Sequence, residues 1–264
     1  MTTTVTATGR PDLAGVSLRE LRDAWDALER GAFAAPRIDW SAARVDVAVV
    51  GAHSASGATT LAVAIADAHG YGHVLELASP ARSGLVAAGR AERGEITPGW
   101  RRTERDHVVL DYLAGAAAHI PAPAPVSGGA LLIVDLAALA TAGDGLHGTA
   151  ADVLDRAGAV VLTATATVPG MRGLQVALDR VPDPAVIAVT GPPCKRWHPA
   201  VTAACPAAAL DLAGQGRLLI LPPHPGLAVT GLTPDPLPAP LLAAAHDLLR
   251  LIPSPGNLVE RTTR

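Results

Sequence analysis

The sequence predicts an α/β chain: a doubly wound, mainly parallel sheet with helices on both faces, in three layers. Two observations predict it. From Val45 onward, short apolar runs alternate with helical segments. The runs are near-continuous in Val, Ile, Leu and Ala, as strands buried on both faces require, and Gly, Pro or Asp bounds them.

Residues 1–16 are polar and Thr-rich and read as disordered. Ser17 and Glu20 then form an S-x-x-E capping box, and Gly31 is a suitable stop. Between them Leu18, Leu21, Trp25 and Leu28 fall on one face. Residues 17–44 are therefore expected to be an amphipathic helix, Ser17–Arg30, and a linker. The helix either packs on its own domain or docks a partner or second protomer.

The main domain is expected over 45–252, with 253–264 as a tail. Strands are predicted at Val45–Val50, His73–Leu77, Ala130–Val134, Ala159–Thr163, Ala185–Thr190 and Arg217–Leu221. Helices are predicted at Thr59–Ala68, Asp152–Ala157, Met171–Arg180 and Leu241–Ile252. The Pro-rich pieces 121–125 and 234–240 read as loops or extended covers.

Composition narrows the function classes. Of 264 residues, 49% are hydrophobic and only 3% aromatic, so a large core must be built from Ala, Leu, Val and Ile. A net charge of −3 gives no indication of direct nucleic-acid binding. Cys194 and Cys205 make no disulfide framework, and with His198 they lack the fourth ligand and the CxxC pair of a zinc site. The start lacks the basic and apolar regions of a signal peptide. The longest apolar stretch, 129–142, is interrupted by Asp135 and falls short of the roughly 20 residues a membrane helix needs. A reduced, cytoplasmic protein is expected. No G-x-S-x-G elbow, no Ser-His-Asp order and no carboxylate pair in a motif is seen.

The most informative segment is the loop after the first strand. An apolar strand runs into His53-Ser54-Ala55-Ser56-Gly57-Ala58-Thr59-Thr60, and a small-residue helix follows. Small residues allow close backbone approach. The N–H groups at a helix N-terminus can then converge on phosphate oxygens, where the helix dipole assists. Thr59 stands where a phosphate-binding loop places a Mg²⁺-binding hydroxyl. A small-residue turn that binds nothing is the plainer alternative.

The loop resembles the variant Walker A motif, K-G-G-x-G-K-T-T, of the ParA/MinD family of P-loop NTPases. It matches at Gly57, Thr59 and Thr60, while His53 and Ala58 stand at the two lysines. The chain holds one lysine, Lys195. Its richness in Ala, Gly, Pro and Arg suggests a GC-rich coding genome. Downstream, Leu131-Leu-Ile-Val-Asp135 resembles Walker B, whose Asp supports Mg²⁺. His73-Val-Leu-Glu-Leu-Ala-Ser-Pro80 resembles the family's second strand, with Glu76 inside the strand and the acidic switch residue shifted or replaced. The strand Ala185–Thr190 leads to Gly191-Pro-Pro where the family has Asn. The resemblance spans about Val45 to Ile252. The loop and the V-T-G-P-P-x-K-R-W segment also resemble small ParA/MinD-like proteins of actinobacterial mobile and conjugative elements.

The resemblance implies a degenerate nucleotide-binding protein, a regulatory or scaffold component of a partition, conjugation or secretion-like assembly. ATP and Mg²⁺ would bind weakly, with Thr59 and Asp135 toward the metal. Losing the lysine charge removes transition-state stabilisation, so hydrolysis should be weak or absent. Two alternatives remain: an active ATPase that uses an Arg or a partner in place of the lysine, and a structural pseudo-NTPase that binds nothing.

Two further segments carry candidate roles. Lys195-Arg196-Trp197 follows the Ala185–Thr190 strand, where Trp197 could stack a base and Lys195 could meet a phosphate; a plain surface loop is the alternative. The Arg82–Arg105 region is crowded with Arg and interleaved with Glu and Asp. It reads as a solvated face, or as a partner or anion patch whose Arg replaces the missing lysine charge. A protein partner or homodimer is expected through this region and the Ser17–Arg30 helix.

Overall fold

In a computed structural model, residues 44–78, 80–115, 120, 122–123, 130–137, 149–181 and 183–252 are described. The expected disordered start, the Ser17–Arg30 helix and its linker, most of the 121–125 segment, and the 253–264 tail lie outside them.

Val45–Gly51 forms β1, and every one of its residues is buried. That pattern explains its sequence, apolar but for Asp46, because a central strand has no wet face; Asp46 accepts from the Leu132 N–H at 2.9 Å. Ala58–His69 (α1) follows, then Gly72–Glu76 (β2). The strands Ala91–Thr97 (β3), Trp100–Arg105 (β4) and Val108–Leu113 (β5) come next. Leu131–Asp135 (β6), Thr149–Arg156 (α2), Ala157–Thr165 (β7), Val168–Arg180 (α3) and Val186–Thr190 (β8) continue the alternation. Pro199–Ala204 (α4), Ala207–Gly214 (α5), Leu218–Leu221 (β9), Pro225–Thr230 (α6) and Ala239–Leu251 (α7) complete it.

Among the described residues the strands form one nine-stranded sheet in the order β3-β4-β5-β2-β6-β1-β7-β8-β9. Seven of these, from β5 to β9 in that order, run parallel. β4 runs against its neighbours β3 and β5. The fold is thus α/β, doubly wound and mainly parallel, with an antiparallel edge.

Alternation along the strands sends side chains into two cores. Val47, Val49, Val74, Ile133 and Val161 pack with Leu61 and Ile65 of α1 and Leu241 and Leu248 of α7. Ala48, Val50, Leu75, Val134 and Leu162 face the other way, onto Val153 of α2, Met171 and Leu174 of α3, Val201 of α4 and Leu212 of α5. This is the expected three-layer arrangement. No helix among the described residues is long and apolar enough to cross a membrane.

Three expectations are corrected. The Arg82–Arg105 region, in which no strand was expected, contains β3 and β4, which extend the sheet through β5. Helix α3 starts at Val168 rather than Met171, because Thr167 caps it by accepting a hydrogen bond from the Gly170 N–H. β2 ends at Glu76, so that acid stands at the strand's carboxyl edge rather than inside it.

Candidate functional site

The chain leaves β1 at the centre of the sheet, between β6 and β7. It reaches β2 on one side and later β7 on the other, so the carboxyl end of β1 opens at a switch in strand order, where open α/β sheets place ligands. Gly51 makes the first bend. A Cβ there would come within 2.9 Å of the Ala137 carbonyl oxygen, and the Gly51 N–H already donates to that oxygen at 2.5 Å.

The rest of the loop turns sharply. Ala55 and Gly57 take left-handed φ values of 60° and 91°. Ala52 N–H donates to Thr163 O at 2.8 Å, and the buried Ser56 hydroxyl pairs with that of Thr163 at 2.8 Å. Gly57 is the residue before α1 and offers no side chain to cap it. The first turn of α1 therefore presents its N–H groups without a competing side chain, in the geometry that receives an anion.

His53, at the first lysine position, turns sideways. Its Nδ1 lies 2.8 Å from Ser54 O and its Nε2 3.2 Å from Thr165 Oγ1. The start of α3 presses on the loop here, since a Cβ on Gly173 would stand 2.8 Å from Ala52 O. Ser54 and Ala55 are exposed, Gly57, Thr59 and Thr60 are half-buried, and Ala58 is buried. Ala58 brings no charge to the second lysine position.

Below the loop, three side chains converge. The Thr59 hydroxyl donates to Glu76 Oε1 at 3.1 Å. Glu76 and Asp135 are register partners on the adjacent strands β2 and β6, and both are fully buried. Asp135 Oδ1 accepts from the Ala137 N–H at 2.8 Å, while its Oδ2 is buried without a partner. Burial and the neighbouring Glu76 charge push the Asp135 carboxyl up to about 7, against the opposing pull of Thr59 and the Ala137 N–H. Burial also raises Glu76, partly offset by donors from Ser83, Gly84, Leu85 and Thr59.

These contacts tie the 83–85 turn to the site. Ser83 donates its hydroxyl to Glu76 Oε2, Gly84 N–H donates to Oε1 at 2.9 Å, and Leu85 N–H to Oε2 at 3.4 Å. A Cβ on Gly84 would lie 2.9 Å from Thr59 Cγ2, so glycine permits the close approach.

The structure thus joins Thr59 with Asp135, as the sequence anticipated, and adds Glu76, which the sequence reading did not assign to the metal. No pairing motif could have found it, because the two carboxylates are 59 positions apart in the chain and meet only across a strand pair. Orphaned Oδ2 and the all-oxygen donor set suit a hard divalent cation such as Mg²⁺.

Lys195, Arg196 and Trp197 stand apart from this cluster. Cys194–Arg196 forms a 3-10 turn after β8, with Lys195 and Arg196 exposed. The Trp197 indole N–H donates to Pro192 O at 2.8 Å, and the half-buried side chain packs against the second of the two cores. Among the described residues no hydrogen bond links this turn to the loop.

No family model matches this chain. No curated protein matches it either. Among solved structures, it is similar to a candidate plasmid partition protein from Borrelia burgdorferi B31, crystallised with AMPPNP. The TM-score is 0.47 at 11% identity, over 79% of this chain and 97% of that one. The fold described above rests on its own strand order and register, not on this likeness.

Proposed function

We propose that this chain is a degenerate ParA/MinD-like protein that binds a nucleoside polyphosphate with Mg²⁺ at the β1–α1 loop. It would act as a nucleotide-responsive regulatory or scaffold component of a larger partition, conjugation or secretion-like assembly. The observation that carries this reading is the meeting of Thr59, Glu76 and Asp135 under an uncapped helix N-terminus, with Asp135 Oδ2 buried and unpartnered. A buried carboxylate oxygen without a partner is costly unless a cation or proton serves it.

In this reading the backbone of 51–60 surrounds the phosphates, and Thr59 and Asp135 hold the cation, with Glu76 beside them. The cation would neutralise the two carboxylates and the phosphate charge. Ala58 gives no charge to a transferring phosphoryl group, so turnover is weak or absent without a charge from elsewhere. Partner contact through the Arg82–Arg105 region and the Ser17–Arg30 helix belongs to the same proposal.

A second reading, a pseudo-NTPase that binds nothing, has its own support. Thr59, Ser56 and His53 all hydrogen-bond inside the protein, to Glu76, Thr163 and Thr165. Calorimetric titration with Mg²⁺-ATP and Mg²⁺-ADP separates the two. Micromolar binding that disappears in Thr59→Ala supports the first; silence at millimolar nucleotide supports the second.

A further inference from the structure

If the loop receives phosphate, it has a charge problem. The two lysine positions hold His53 and Ala58, and Glu76 and Asp135 lie fully buried beneath. A divalent cation offsets the carboxylates but leaves the phosphate chain with an unmatched negative charge. Some cationic side chain must face it from outside the loop.

The arginines of the Arg82–Arg105 region are not equivalent. Arg90 pairs with Asp106 at 3.2 Å, Arg93 with Glu104 at 2.6 Å, and Arg101 with Glu92 at 2.8 Å. Arg102 pairs with Asp111 at 2.7 Å, and Arg105 with Asp67 at 3.3 Å. Arg82 is exposed and has no such carboxylate among the described residues.

Its position in the fold is also distinctive. Arg82 ends the 3-10 turn Pro80–Arg82 and directly precedes Ser83, Gly84 and Leu85. Those three residues are pinned to Glu76, and Glu76 is bonded to Thr59 in the first turn of α1. With Gly84 pressed on the Thr59 methyl, the backbone two residues from Arg82 is held against the first turn of α1.

Two other cations stand at different places. Arg172 is exposed on α3 beside Gly173, where a Cβ would stand 2.8 Å from Ala52 O, so it borders the start of the loop rather than the Thr59 end of it. Lys195 follows β8, two strands from β1 in the sheet.

We propose that Arg82 is the phosphate-binding cation of this site, in the role the loop lysines leave open, with Glu76 and the 83–85 turn holding it in place. The guanidinium offers a planar fork of donors suited to two phosphate oxygens at once. This rests on the reading that the loop binds a nucleoside polyphosphate.

The test is calorimetric titration of the full chain with Mg²⁺-ATP, at two salt concentrations, with thermal melts of each variant. Arg82→Ala should weaken binding about tenfold or more, as loss of a charge-assisted hydrogen bond does, and should flatten its salt dependence. Arg82→Lys should recover part of the loss, Arg172→Ala should weaken binding less than Arg82→Ala does, and melts should be unchanged because Arg82 is exposed. If wild type binds, Thr59→Ala does not, and Arg82→Ala equals wild type, the assignment of Arg82 is overturned while the loop reading stands. Equal weakening by Arg82→Ala and Arg172→Ala would also overturn it, since that signals a diffuse field. Absence of any heat from wild type at millimolar nucleotide would remove both the loop reading and the role of Arg82.

Discussion

The hydroxyl of Thr59 donates to Glu76 Oε1 at 3.1 Å, joining the first turn of α1 to the last residue of β2. The hydroxyl gives its proton to this bond and keeps its oxygen lone pairs, so it can hold a cation while still donating to Glu76. Thr59→Val keeps the shape of the side chain and removes the donor. It should lower stability by about 1 kcal/mol without nucleotide, the usual net value of one hydrogen bond. Urea unfolding measures this, and an unchanged midpoint would mean that the bond contributes nothing.

The buried Asp135 has a pH signature. Its carboxyl is raised to about 7 in the fold, against roughly 3.9 in an unfolded chain. A raised acid keeps its proton longer in the folded state. Its contribution is most favourable below the unfolded value and is lost as pH rises from about 4 to about 7. Asp135→Asn should cancel this slope, so its advantage over wild type should grow from pH 4 to pH 7.5 by a few kcal/mol. Millimolar Mg²⁺ should narrow the gap at pH 7.5 by stabilising the ionised wild type. Parallel pH profiles for the two proteins would contradict the assignment.

A separate buried network crosses the other face of β2. Asp111, fully buried, accepts from Arg102 at 2.7 and 2.8 Å and lies 2.7 Å from His73 Nε2. Burial alone would raise its carboxyl, but the bonds to Arg102 and His73 hold it below the usual range. Asp111→Ala leaves a part-buried arginine and a buried imidazole without their partner. The expected loss is about 3–5 kcal/mol by chemical denaturation. A loss under about 1 kcal/mol would show that water repairs the gap.

Gly89 sits where no side chain fits. A Cβ there would overlap the Thr103 hydroxyl, at 1.8 Å from Oγ1. Gly89→Ala should cost about 1–3 kcal/mol by overpacking. The double variant Gly89→Ala with Thr103→Gly should recover part of it, apart from the cost of a glycine within β4. Failure to recover would point to backbone strain elsewhere in the turn.

Much of the fold was legible because burial on both faces leaves a local trace. β1, β2, β6, β7, β8 and β9 were each readable as apolar runs, within one or two residues of their ends. β3 and β4 were not. In β4 the residues Trp100, Thr103 and Arg105 are buried, but two of these three are polar, so alternation looked like a charged surface. Arg105 tolerates that burial because Asp67, Ala88 O, Thr233 O and Asp235 O all accept from it.

The candidate site divides the same way. The sequence by itself determined where the β1–α1 loop lies, which residues replace its lysines, and that Asp135 closes a buried strand. Those features are written in contiguous residues. Only the tertiary structure decided that Glu76 meets Thr59 and Asp135, and that Arg105 meets Asp67, Thr233 O and Asp235 O. These are meetings between residues far apart in the chain. Strand register and side-chain pairing bring them about, and neither is encoded by any local spacing.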